Sequence, residues 1–253
     1  MNTPRFANTA RSRSLLIKRN NKFGQPIGDT LDGWQGAPRP VPKTLAGSFC
    51  RLEPLSVDAH LEDFYRACSE DADGTLWTYM AVGPFQSIDD MRRWMVHICD
   101  ADDPLFFAIV DIHTRRATGV ASLMRIKPEV GVIEVGSITY SPGLQRTPAA
   151  TEAMFLLMCE VFDVLGYRRY EWKCDSLNHA SKSAAQRLGF SYEGLFRQAL
   201  VYKGRNRDTA WYSILDSEWP RLKAAYQEWL NPVNFDQEGV QRHRLQDFVC
   251  ITG

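Results

Sequence analysis

Residues 130–152 constrain the fold of this chain more than any other stretch. Residues 130–140 are a run of β-branched and apolar residues that reads as a strand. Thr147-Pro148 then gives an N-cap followed by the one helical position where a missing N–H costs nothing. Ala150, Ala153, Met154, Leu157, Val161 and Leu165 recur on one face, and Gly166 supplies a stop, so a helix is predicted over 148–165. A strand passing through a tight turn into a long amphipathic helix calls for helices layered on a sheet.

Flanking segments extend this pattern. Strands are predicted at 49–55, 105–112, 117–126, 168–175, 190–202 and 209–215, with a turn at 113–116. Ser56 caps a helix carrying Leu61, Phe64, Tyr65 and Cys68, and a second helix carries Met91, Trp94, Met95 and Ile98. Ser181 and Asn178 open a short helix over 181–188, and Trp219, Leu222, Tyr226 and Trp229 mark a closing one. The expected architecture is a single mixed α/β (α+β) sheet of six or seven strands flanked by helices. Three regions are expected: a basic arm with a Pro-rich connection over 1–44, a main domain over 45–216, and a C-terminal helix and tail over 217–253.

Composition narrows the function classes. Thirty Lys+Arg balance thirty Asp+Glu in 253 residues, which argues against a dedicated nucleic-acid or anionic-membrane binder. No apolar run approaches a membrane span. The six cysteines are scattered without Cys-x-x-Cys spacing, so a structural metal is not expected, and reduced core thiols point to the cytoplasm. His60, His97 and His113 read as solvent-facing or turn residues and make no metal set with His179 and His243. The first 22 residues hold Arg5, Arg11, Arg13, Lys18, Arg19 and Lys22 and no acid. A basic arm is the favoured reading over an organellar transit peptide, because amphipathic spacing is poor.

Two blocks carry chemistry. The first is the turn and helix start, Gln145-Arg146-Thr147-Pro148-Ala149-Ala150-Thr151. Unpaired N–H groups and the positive end of a helix dipole attract an anion, and small side chains allow phosphate to approach the backbone. A well-capped helix start would look the same, and Gly-Lys-Ser/Thr of a P-loop is absent. The second block is Cys174-Asp175-Ser176-Leu177-Asn178-His179-Ala180-Ser181, then Leu188-Gly189-Phe190 and Glu193-Gly194.

With the Gln145 turn upstream, the Asn178-x-x-Ser181, Leu-Gly-Phe and Glu-Gly blocks resemble the GNAT superfamily of N-acetyltransferases. The resemblance covers about residues 45–215 and is nearest the branch of ribosomal-protein alanine N-acetyltransferases. It implies acetyl-CoA as cosubstrate, with its pyrophosphate at Gln145, Arg146, Thr147, Ala149, Ala150 and Thr151. Pro148 stands where the family usually has its first glycine, which removes one backbone donor. It implies that the strand before this turn splays from the next, its backbone near Ser137, Ile138 and Tyr140 facing the pantetheine arm and the thioester carbonyl. By period-2 alternation Glu134, Gly136, Ile138 and Tyr140 share one face.

The resemblance also assigns roles. Glu134 corresponds to an acidic residue that takes a proton from the acceptor ammonium. A strand carboxylate paired with a nearby arginine is the equal alternative. Asn178 contacts the coenzyme arm, and Ser181 protonates the leaving thiolate, since Ala185 fills the site where many members carry a tyrosine acid. Both could equally be helix caps. The ribosomal-protein enzymes place a carboxylate just beyond Glu-Gly, where this chain has Leu200. Trp77, Tyr79, Met80 and Phe85 are candidates to line an acceptor pocket, or to seal the core edge. Residues 204–208 read as a solvated turn in which Asp208 could orient a group in the pocket.

The resulting expectation is acetyl transfer to a primary amine of a small molecule or a peptide N-terminus. The attack is direct and needs no metal, nucleic acid or membrane, and the protein is a monomer or homodimer. Cys174 has no positioned histidine to activate it as a nucleophile. A non-catalytic acyl-CoA-binding module is the alternative. A doubly wound nucleotide-binding domain is disfavoured, because no Gly-x-Gly-x-x-Gly follows an early strand.

Overall fold

The computed structural model describes residues 19–251, and side chains through residue 249. The chain divides into two compact units between Gln35 and Gly36. In the smaller, strands β1 (Arg19–Asn20) and β2 (Pro26–Ile27) pair antiparallel, and Arg19 forms an ion pair with Asp29 at 3.2 Å. Of the basic stretch, Arg19 and Lys22 are described; Arg5, Arg11, Arg13 and Lys18 lie outside the described residues.

The larger unit is one eight-stranded sheet with helices on both faces. Its elements in chain order are β3 (Leu45–Ala46), β4 (Cys50–Pro54), α1 (Val57–Ser69), α2 (Ile88–Cys99), β5 (Leu105–Asp111), β6 (Ala117–Lys127) and β7 (Val132–Tyr140). There follow α3 (Pro148–Cys159), β8 (Arg169–Asp175), α4 (His179–Arg187), β9 (Ser191–Tyr202), β10 (Arg205–Leu215), α5 (Trp219–Trp229) and α6 (Leu245–Ile251). The strand order is β3-β4-β5-β6-β7-β8-β10-β9, antiparallel except for the parallel pair β7–β8.

Two apolar clusters hold the helices to the sheet. On one face Ile133, Val135, Tyr170, Trp172, Tyr212 and Ile214 meet Ala153, Met154 and Leu157 of α3 and Leu222 and Tyr226 of α5. On the other, Phe106, Ala108, Val110 and Val120 meet Leu61 and Phe64 of α1 and Met91 and Met95 of α2. Leu157 is wholly buried, which stabilises by roughly 2 kcal/mol. Glu152 adds a polar tie: its buried carboxylate accepts the amides of Ser48, Phe49 and Cys50 at 2.7, 2.6 and 2.8 Å, pinning α3 to the start of β4. Gly47 permits this approach, because a Cβ there would overlap the carboxylate.

Several expectations shift. The eighth strand, β3, is two residues long, too short to show periodicity. The α-helix expected to reach 165 changes at Glu160–Val164 into a π turn, and Gly166, at φ +67°, ends it. The turn expected at 204–208 is confined to Lys203 and Gly204, both left-handed as a tight hairpin requires, and Arg205 already lies in β10. His60 is buried, accepting the Ser56 amide at 3.1 Å and bonding Glu53 at 3.2 Å. Among the described residues no helix is long and apolar enough to cross a membrane, and no three His, Cys, Asp or Glu side chains are grouped to hold a metal.

Candidate active site

The site starts where two parallel strands part. β7 and β8 pair from Val132↔Arg169 to Val135↔Trp172, while β7 continues beside β6 to Gly119↔Tyr140. Just past the last pair, Ser137 takes φ 50° and the β6 register slips. A bulge of this kind reverses which face each side chain occupies. Ile133 and Val135 therefore face the α3 core before it, and Ile138 and Tyr140 face the same core after it. Glu134 points to the opposite face, which corrects the expected common face of Glu134, Ile138 and Tyr140.

Beside this opening the α3 start is closely braced. Thr147 Oγ1 donates to Leu144 O at 2.7 Å and accepts the Ala150 amide at 3.2 Å, while the Thr147 amide donates to Leu144 O at 3.3 Å. Pro148 occupies the first turn as expected. The Gln145 side chain donates to Tyr140 O at 3.1 Å, and the Tyr140 hydroxyl donates to Ala150 O at 3.1 Å. Burial keeps that phenol protonated well beyond its ordinary range. Two of the amides offered for the pyrophosphate, on Thr147 and Ala150, are thus used by the loop itself. Arg146 is exposed at φ 62°. Arg187 Nη1 donates to Thr151 Oγ1 at 3.1 Å, and among the described residues no carboxylate lies within 4 Å of it.

At the end of β8 the second block folds into a cap. Asn178 is the N-cap of α4, its Oδ1 accepting the Ser181 amide at 3.0 Å. The Ser181 hydroxyl accepts the Trp172 indole N–H at 2.9 Å and also hydrogen-bonds Cys174. Burial raises the Cys174 thiol pKa despite that bond, so the sulfur is protonated. Ala185 is fully buried in the α3-side core.

The opposite face of the sheet carries a row of alternating charges. Arg125 Nη1 reaches both Glu134 oxygens at 2.7 Å, and Lys173 bridges Glu134 and Glu171 at 2.7 Å each. Arg169 then bonds Glu171 at 2.7 Å and clasps Glu193 with both terminal nitrogens. Lys173 also lies 3.8 Å from the Trp211 ring centre, and Trp211 stacks on Phe196. Burial pushes the Glu171 pKa up, but the hydrogen bonds and charges of Lys173 and Arg169 outweigh it and the net shift is downward. Sequence reading missed these partners, although Arg169, Glu171, Lys173 and Asp175 alternate with Tyr170, Trp172 and Cys174, the signature of a strand with one charged face.

The four aromatic-loop candidates divide. Trp77, Met80 and Phe85 belong to the α1/α2 core, with Trp77 and Phe85 edge to face at 5.0 Å. Tyr79 is half-buried and donates to Leu177 O at 3.1 Å, and Lys203 Nζ donates to Trp77 O at 2.7 Å. Asp208 accepts the Gln198 amide at 2.7 Å and Asn206 Nδ2 at 3.0 Å across the β9–β10 hairpin.

A family model described as an acetyltransferase (GNAT) domain matches residues 50–191. The chain belongs to the GNAT family. A GCN5-related N-acetyltransferase from Brucella melitensis is 49% identical over 87% of this chain and 100% of its own, with a TM-score of 0.85. An uncharacterized N-acetyltransferase, p20, of Bacillus licheniformis is 29% identical over 63% of this chain and 90% of its own. A putative ribosomal-protein-serine acetyltransferase from Vibrio cholerae, 17% identical over 68% of this chain and 97% of its own, shares the fold at a TM-score of 0.60. In this GNAT chain, then, the parted strands and the braced helix start lie within the matched domain, and the charge row crosses it.

Proposed function

We propose that this protein is an acetyl-CoA-dependent N-acetyltransferase that acetylates a primary amine by direct attack. The observation that carries the reading is the parting of β7 and β8 after Val135 and Trp172, directly before the braced start of α3. In a GNAT fold that opening exposes strand backbone to an extended thiol arm, and the helix start attracts a pyrophosphate.

The residues present suit that anion. Arg146 and Ala149 are the amide donors left to the loop, the Thr151 amide being the first to enter the helical ladder, and Gln145 holds the turn in place. Arg146 and Arg187 add charge, the latter beside the first helical turn. The coenzyme supplies an acetyl group activated as a thioester. The backbone of Ser137, Ile138 and Tyr140 polarises the carbonyl, Asn178 orients the arm, and Ser181 donates a proton or hydrogen bond to the departing sulfur. The bond formed is N–C and the bond broken is C–S; the ammonium gives up its proton to solvent, and the departing thiolate takes one from Ser181 or from water. For Glu134 the geometry favours the paired strand carboxylate over the free base, because Arg125 and Lys173 already hold it. Tyr79 is the loop aromatic that faces out of the core toward the acceptor. Acetyl-CoA and unpaired thiols both suit a cytoplasmic setting.

Calorimetry with acetyl-CoA on Ala150→Glu and Arg146→Glu tests the placement. Both bring negative charge to the phosphates, and affinity should fall at least about tenfold, the scale of lost charge-assisted bonds. Unchanged affinity in both folded variants overturns it. Thiol release with amines and peptides tests the activity, and binding without release identifies a non-catalytic module instead.

A further inference from the structure

Five acids are buried among the described residues: Glu134, Glu152, Glu160, Glu171 and Asp175. Glu134, Glu160 and Glu171 each have a Lys or Arg within 3 Å, and Glu152 is closed by three amides. Asp175 differs. It is 5% exposed, and its carboxylate accepts only the Leu177 amide at 2.9 Å and the Tyr202 hydroxyl at 2.9 Å. No Lys, Arg or His stands within 4 Å of it among the described residues. A buried carboxylate without a cation is costly unless something positive completes it.

A second observation falls at the same place. Thr209 lies directly opposite Asp175 in the β8–β10 register, so the two side chains share a face. Thr209 is 4% exposed, and its Oγ1 has no hydrogen-bond partner. A buried hydroxyl left unsatisfied beside a carboxylate that has no ion pair among the described residues calls for a ligand that is cationic and rich in donors, which describes an ammonium group. The Tyr202 ring borders the spot and suits a cation. Arg207, its guanidinium 5.9 Å from the Tyr202 ring, stays outside salt-bridge reach of Asp175.

We propose that Asp175 and Thr209, with Tyr202 holding the carboxylate, receive the ammonium group of the acceptor, and that this acceptor is an unbranched aminoalkyl compound. This deepens the proposed function and rests on it. Asp175 ends β8 on the stretch no longer paired with β7, three residues before the Asn178 cap, and so borders the opening where the thioester is expected. The 75–85 loop, anchored in the α1/α2 core by Trp77, is tied to this region by two bonds, Tyr79 to Leu177 O and Lys203 to Trp77 O. With Asp175 5% and Thr209 4% exposed, the approach to them is narrow and suits a slim methylene chain, whereas a peptide N-terminus brings a substituted α-carbon and a carbonyl with it.

The test uses the full chain with acetyl-CoA and four probes: n-butylamine, 1,4-diaminobutane, alanine amide and a peptide beginning with alanine. The expected result is turnover of an unbranched amine at least about tenfold better in kcat/KM than of the peptide. Asp175→Asn keeps one acceptor, for the Leu177 amide, and its new amide N–H can donate to the Tyr202 hydroxyl oxygen in place of the lost bond. It should raise the KM of that amine by about tenfold or more, with acetyl-CoA affinity unchanged. Thr209→Val loses no bond within the protein, so it should fold at least as well as wild type yet raise KM severalfold; it decides the matter should Asp175→Asn not fold. An unchanged KM in the folded variants, a preference for the peptide, or coenzyme binding without turnover of any probe overturns the subsite. Failure of the wild-type chain to bind acetyl-CoA instead overturns the proposed function beneath it.

Discussion

The indole N–H of Trp172 donates to the Ser181 hydroxyl at 2.9 Å, joining the last β8 residue paired with β7 to the first turn of α4. Its neighbour Asn178, not Ser181, caps that helix. The Ser181 side chain is thereby held by its lone pair, and its hydrogen, directed to Cys174, is what it would have to redirect to a departing thiolate. Ser181→Ala should lower single-turnover acetyl transfer by about 10-fold to 10²-fold, toward the low end of acid catalysis, and should also cost about 1–3 kcal/mol of stability, because the buried Trp172 indole N–H loses its acceptor. Asn178→Ala should cost about 1 kcal/mol of stability. A Ser181→Ala protein with an unchanged chemical rate would leave Ser181 as a strut for Trp172.

Glu134 joins Arg125 to Lys173 in a buried row. Removing its charge leaves Lys173 short of one partner, so Glu134→Gln should destabilise by about 3 kcal/mol in denaturant unfolding. Turnover of the folded variant should fall by less than ~10-fold. A loss of ~10² or more at neutral pH, with stability intact, would restore Glu134 as the proton acceptor.

Direct attack predicts that no acetyl-enzyme forms. Burial keeps the Cys174 thiol protonated and pushes Cys68 up to about 12. Cys174→Ala should therefore retain acetyl transfer within a fewfold, and mass spectrometry after incubation with acetyl-CoA should find no added acetyl group. An acetylated Cys174 would reverse the mechanism.

The charge row also sets an acid limit. Burial raises the Glu171 pKa, but Lys173 and Arg169 lower it more; for Glu193 the Arg169 hydrogen bonds are the leading cause of a downward shift. A carboxyl whose folded pKa is depressed adds stability above its unfolded value, and that stability is lost as pH falls through the folded value. Melting temperature should thus hold at neutral pH and decline below the ordinary glutamate range near 4.5. The decline should be shallower in Glu171→Gln. Equal slopes in the two proteins would mean that the row is not what acid breaks.

Much of this fold can be read from local pattern. Thr147-Pro148 capped α3 because an N-cap followed by proline has one local solution. Ser56 and the 3.6-residue spacing of Leu61, Phe64 and Cys68 placed α1 for the same reason. Signals of this kind fail where the deciding partner is remote. Nothing near Glu152 announces the amides of residues 48–50, and nothing near Trp77 shows that it packs against Phe85 and not against a substrate.

The sequence by itself determined the order of strands and helices, the helix caps and the motif spacing that marks the GNAT family, since all of these depend on residues a few positions apart. Only the tertiary structure decided which way the side chains of β7 point. Strict alternation places Glu134 and Tyr140 together, but the bulge at Ser137 turns one to the charge row and the other to the core. It likewise decided that Lys173, from another strand, answers Glu134 while Asp175 has no ion pair among the described residues. Register and bulges are fixed by packing between strands far apart in the chain, and the charge balance of a buried site follows from them.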